Sequence, residues 1–133
     1  MKNREIRVKI TNESDVAEAS SEALRLGEMI GFSRTNYYMV STAVSELGTN
    51  IYRYAKGGEI TLRVLEKETK KGIEVVAEDS GPGIADIEAA MRDNFSTSNS
   101  LGLGLPGVKR MMDEFEMESK PGSGTKIIAR KWV

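Results

Sequence analysis

The sequence predicts an α/β sandwich of the α+β kind, one mixed, mostly antiparallel sheet with helices packed on one of its faces. Two observations carry this. Apolar residues alternate with polar ones at Ile6/Val8/Ile10, Ile60/Leu62/Val64 and Ile73/Val75/Ala77; Phe115, Met117 and Ser119 begin a further strand, and a strand-like run closes the chain from Thr125 to Val133. The resulting order, β-α-α-β-β-α-α-β-β, joins most strands to a sequence neighbour through a short turn. That favours antiparallel pairing over a doubly wound parallel sheet.

The first strand follows from Ile6, Val8 and Ile10. After the polar break Asn12–Asp15, the pair Asp15 and Glu18 resembles a helix cap, and Val16, Ala19, Ala23, Leu26 and Ile30 recur at helical spacing up to a stop at Gly31. Ser33 caps a second helix whose stripe is Tyr37, Val40, Val44, Leu47, Ile51 and Tyr54, ended by Gly57-Gly58. Two strands then form a hairpin with a medium-length polar loop over Glu66–Gly72. Asp86–Asp93 reads as a short helix and Asn94–Ser100 as a mobile loop. Leu105, Val108, Met111, Met112 and Phe115 mark a third core helix, and Pro121–Gly124 turns the chain between the last two strands.

At 133 residues the chain reads as one domain, 1–133, without repeats or linkers. With 19 basic and 20 acidic residues, net −1, it offers neither a basic footprint for nucleic acid nor a polybasic arm for a membrane. It contains neither cysteine nor histidine, so thiolate metal sites, a histidine general base and a phosphohistidine are all excluded. No apolar run has the length of a membrane span, and the expected setting is the cytoplasm.

Asp79 continues the inward parity of Ile73, Val75 and Ala77, and a carboxylate there requires a partner. Gly81-Pro82-Gly83 follows it, a turn that leaves backbone open to close approach. Glu46 and Asn50 lie four apart, on one side of the second helix, and the run Gly102–Gly107 opens the third. Thr125 starts a strand after Gly124. Singly these are weak: Glu and Asn at that spacing are more often a solvated edge, and Asp-Ser-Gly-Pro-Gly is more often a turn. The glycine run matches G-x-G-x-x-G but follows a polar loop instead of a strand, and Lys109 sits one place too far on for a phosphate loop.

Jointly they describe a purine nucleotide site. Asp79 accepts a hydrogen bond from an amino group such as adenine's, the helix N-terminus offers N–H groups and a positive dipole end to phosphates, and Asn50 supplies a neutral oxygen suited to Mg²⁺. Glu46, one turn away, is placed to take a proton from an attacking hydroxyl.

The segments Glu46-Leu-Gly-Thr-Asn50, Asp79-Ser-Gly-Pro-Gly83, Gly102-Leu-Gly-Leu105 and Gly122-Ser-Gly-Thr125 resemble the N, G1, G2 and G3 boxes of the GHKL superfamily, whose fold is the Bergerat α/β sandwich. Within it, Phe95-Ser-Thr-Ser98 and Gly102–Phe115 are similar to the serine/threonine switch kinases of bacterial stressosomes. The resemblance implies ATP and Mg²⁺ as cofactors, Glu46 as base and Asn50 as metal ligand. It implies that Asp79 reads adenine, with Gly81 and Gly83 admitting the base and Thr125 supporting it. Gly102, Gly104 and Leu105 are implied to present N–H groups to phosphate. Thr97, in an Asn94–Ser100 lid, either touches phosphate or is an ordinary loop hydroxyl. Implied partners are STAS-domain substrates of the RsbS and RsbR type and an RsbU-type phosphatase. An anti-sigma-factor kinase and a nucleotide-gated binding module without turnover are the alternatives.

Overall fold

The computed structural model describes residues 5–55, 57–81, 104–120 and 122–133. Strand β1 (Glu5–Ile10) leads into α1 (Glu13–Ile30) and α2 (Arg34–Asn50), which passes into a π-helical turn, Ile51–Ala55. Then come β2 (Gly58–Lys67), β3 (Lys70–Asp79), α3 (Gly104–Met111), β4 (Glu114–Lys120) and β5 (Gly124–Trp132). The expected helix over Asp86–Asp93 and loop over Asn94–Ser100 lie outside the described residues.

The five strands pair in the order β1-β2-β3-β5-β4, and every described pairing is antiparallel. Inward-facing Val8, Ile10, Ile60, Leu62, Ile73, Val75, Ala77, Ile127 and Ala129 meet Val16, Ala23, Leu26, Val40, Val44, Leu47 and Val108 of the helices in one core. Met112 belongs to that core and Met111 and Met117 pack against it, so the methionines fill space instead of forming a partner surface. Among the described residues no helix is long and apolar enough to cross a membrane.

The two long helices approach closely because small residues line their seam. A Cβ on Gly27 would stand 2.6 Å from Tyr37 Cβ, and one on Gly48 3.1 Å from Val16 Cγ1. Between these points Ser20 and Ser41 form a reciprocal pair: their hydroxyls are 2.7 Å apart, and each lies 3.1 Å from the other residue's carbonyl oxygen.

Four boundaries differ from the sequence reading. The cap of α1 is Asn12, whose side chain accepts the N–H of Asp15 at 3.0 Å, and Asp15 reaches back to the N–H and hydroxyl of Thr11. Asp15 is therefore the third helical residue, tied back to the residue before the cap, and not the cap itself. The hairpin has no medium-length loop: β2 and β3 pair through Lys67 and Lys70, and the turn is Glu68-Thr69, with Glu68 at φ 57°. α2 is α-helical only to Asn50, which leaves Tyr54 in the π turn and exposed. Phe115, read both at the end of the third-helix stripe and at the start of a strand, belongs to the strand β4. Gly31 (φ 97°) and Ser33, whose hydroxyl accepts the N–H of Asn36, act as the expected stop and cap.

On the face of the sheet away from the helices, one register row crosses all five strands: Glu5, Arg63, Glu74, Arg130, Glu114. Charges alternate along it, with N–O separations of 2.9, 3.0, 2.8 and 3.0 Å. Glu74, in the centre, has a side chain only 9% exposed and is held from both sides. Exposed ion pairs contribute little, but a buried carboxylate between two guanidiniums is costly to remove. Glu74→Ala is expected to destabilise the fold by about 1–3 kcal/mol in denaturant titration, because both arginines lose their central partner.

Thr11 holds the Asp15 carboxyl below the usual carboxylate range through its N–H and hydroxyl, Arg63 and Arg7 lower Glu5, and the Trp132 indole N–H and Arg130 lower Glu114. For carboxyls depressed in the folded state, the stabilisation is present above the unfolded-state pKa and is lost as pH falls through the folded one. The melting temperature is therefore expected to drop as pH falls below about 4, and Asp15→Asn to lose more stability at neutral pH than in acid.

Candidate active site

Asp79 ends β3, half-buried, opposite Gly58 on one side and Thr125 on the other. Three glycines crowd it, one from β2, one from β5 and one from the bend after β3. A Cβ on Gly58 would lie 3.0 Å from Asp79 Cβ and 2.9 Å from Ile51 Cγ2, besides meeting the Glu78 carbonyl. One on Gly124, which has φ +85°, would collide with the Asp79 carbonyl and lie 2.9 Å from Ser80 Cα. One on Gly81 would lie 2.7 Å from Ala55 Cα and 3.2 Å from Asp79 Oδ1. Gly81 also donates its N–H to Asp79 Oδ1 at 2.9 Å, which orients the carboxylate. Backbone thus packs on backbone around one acidic side chain, at positions no larger residue could take.

Thr125 is fixed from β4. Its hydroxyl is 2.8 Å from that of Ser119, and the Ser119 hydroxyl also lies 3.1 Å from the Gly124 carbonyl. The sequence reads Ser119 only as a strand residue following the parity of Phe115 and Met117; its place beside Thr125 comes from the β4–β5 register.

Asn50 is the last residue of α2 and is half-buried, as is Glu46 one turn earlier. The chain then widens into the π turn, a geometry common at functional positions. That turn joins the helix to the Asp79 corner, since its first residue, Ile51, abuts Gly58 and its last, Ala55, abuts Gly81. α3 packs on α2 and begins at Gly104, in the left-handed region at φ 69°; Gly104 and Leu105 are both buried. The structure therefore brings Asp79, Gly81 and Thr125 together and ties the C-terminus of α2 to them, with α3 alongside. Gly83, Thr97 and Gly102 lie outside the described residues.

Among the described residues there is no group of three or more acidic, His or Cys side chains able to cage a metal. A lone amide oxygen at Asn50 suits Mg²⁺, which keeps several waters and is shared with phosphates.

Comparison with known proteins agrees with this geometry. Residues 10–131 match the family model described as a histidine kinase-like ATPase domain. The serine/threonine-protein kinase RsbT of Bacillus subtilis (strain 168) is 46% identical over 126 residues, 95% of either chain. The anti-sigma F factor of Caldanaerobacter subterraneus subsp. tengcongensis is 40% identical over 100 residues, 71% of this chain and 68% of that one. A mycobacterial sensor histidine kinase, MprB, has the same fold, with a TM-score of 0.54 at 16% identity over 98% of this chain and 97% of its own. The class of protein defined here is thus a GHKL-type nucleotide-binding domain. More particularly, the chain belongs to the histidine kinase-like ATPase family.

Gly124→Ala is expected to cost at least about 2 kcal/mol of stability, since it adds a clash with Asp79 to an unfavourable φ; thermal unfolding measures it.

Proposed function

We propose that this protein serine/threonine kinase binds ATP at the Asp79 corner and transfers its γ-phosphoryl group to a regulatory partner, which it holds or releases according to phosphorylation state. The observation that carries the reading is the 46% identity to RsbT over 95% of both chains, with Asp79, Gly81 and Thr125 assembled at one corner.

In this reading the Asp79 carboxylate accepts the adenine amino group, and Thr125, steadied by Ser119, supports the base from the adjacent strand. Gly81 and Gly83 admit the ring, while Gly102, Gly104 and Leu105 turn N–H groups to the phosphates, with Thr97 as a further contact. Asn50 would ligand Mg²⁺, which offsets phosphate charge when bound. An acceptor hydroxyl oxygen bonds to the γ-phosphorus, the bond to the β–γ bridging oxygen breaks, ADP leaves, and Glu46 takes the hydroxyl proton. The partners are STAS-domain proteins of the RsbS and RsbR type in a cytoplasmic stressosome, and an RsbU-type phosphatase activated by the released kinase.

The similarity to anti-sigma F factors favours a second reading, in which a sigma factor is the held partner. Co-purification with a sigma factor distinguishes the two.

The test combines the protein with γ-labelled ATP, Mg²⁺ and a STAS-domain protein from the same genome. Label on a Ser or Thr of the STAS protein, lost with Glu46→Ala, is the expected result; ATP binding without label would point instead to a binding module. Asp79→Asn is expected to weaken ATP at least about tenfold by calorimetry, because an uncharged amide replaces a charged acceptor. Unchanged affinity would remove the adenine role.

A further inference from the structure

On β5 the inward parity runs Thr125, Ile127, Ala129, Lys131, so the strand that opens at the nucleotide corner ends by turning a lysine toward the helices. Lys131 is buried, with its side chain 9% exposed. Burying an ammonium is expensive unless it is paired. Here its Nζ donates to the carbonyl oxygen of Met111 at 2.8 Å and lies 3.6 Å from Asp113 Oδ1. Met111 is the last residue of α3, so the ammonium caps a carbonyl that the helix cannot satisfy itself and sits at the negative end of the helix dipole.

Neighbouring residues close the same junction. Asp113 donates its N–H to the Arg130 carbonyl at 2.8 Å, and its Oδ2 accepts the N–H of Trp132 at 2.8 Å. Residues 130–132 of β5 thus grip residues 111–113 through four polar contacts. α3 spans eight residues, about 12 Å at the helical rise, and its other end is Gly104. A helix that short turns as a rigid unit, so its attachment at Met111 sets where its N-terminus points.

We propose that Lys131 is a positioning residue for the nucleotide's phosphates: by fastening the C-terminus of α3 to β5, it holds the helix N-terminus at Gly104 and Leu105 against the site. This rests on the reading that this N-terminus meets the phosphates. Through β5, one strand then sets both ends of the ligand, the base at Thr125 and the phosphates by way of Lys131.

The test compares adenosine with Mg·ADP by calorimetry on the full chain, since adenosine reports on the Asp79 corner alone and ADP adds the phosphates. Lys131→Met, similar in length but without charge or donor, is expected to weaken ADP at least about fivefold while adenosine changes less than about twofold. Lys131→Arg, which keeps a charged donor, is expected to recover most of the ADP affinity. A role confined to stability would weaken both ligands together or neither, and either outcome overturns the proposal. If Lys131→Met does not fold, Asp113→Asn at the exposed side of the junction decides by the same comparison. ADP bound no more tightly than adenosine by the unaltered chain would remove the phosphate reading, and the proposal with it.

Discussion

The constraint on which the site depends is the pairing of β3 with β5 at its last register position, where Asp79 lies opposite Thr125. Gly124 packs its bare backbone on the Asp79 carbonyl, and Gly58 and Gly81 close the other sides. No side chain could substitute for that contact, because the space is taken by the main chain of the acidic residue itself. Everything else in the fold serves to hold this register. The apolar rows of the sheet meet the helices on one face, and the alternating charges of Glu5, Arg63, Glu74, Arg130 and Glu114 lock the strands on the other.

The helical layer carries the second half of the site. Seating Gly27 against Tyr37 and Gly48 against Val16 brings α1 and α2 close, and the Ser20–Ser41 pair disfavours sliding between them. Because Gly48 stands between Glu46 and Asn50 in sequence, the close packing of α2 also sets the rotation of those two side chains. The π turn lies against Gly58 and Gly81, so the end of α2 and the neighbouring ends of β2 and β3 share a corner.

Much of this was legible in the residues. Period-two apolar rows define strands whatever their partners, and Gly31 and Ser33 act through local backbone geometry, so both are read directly. Asp79 stood out as a charge on a buried parity. What was misread depends on atoms distant in sequence or on competition between similar residues. Asn12 and Asp15 are both good caps, and only the reach of Asp15 back to Thr11 decides between them. The tight turn places Glu68, a non-glycine residue, in the left-handed region, which the polar run around it does not announce. Ser119 and Lys131 gain their meaning from a strand partner and a helix end, so neither could be assigned a role from spacing alone.

The strand order has a consequence for how the domain is built. β5 follows β4 in the chain yet sits between β4 and β3, so β4 cannot join the sheet until β5 has inserted. Before that, β3 is an open edge with unpaired main-chain groups, and the acidic corner faces water without its threonine, its closing glycine or the anchor for α3. β1, β2, β3 and the two long helices can collapse first, but Asp79 meets Thr125 and Gly124 only with the final insertion. Completion of the sheet and assembly of the Asp79 corner are therefore one event.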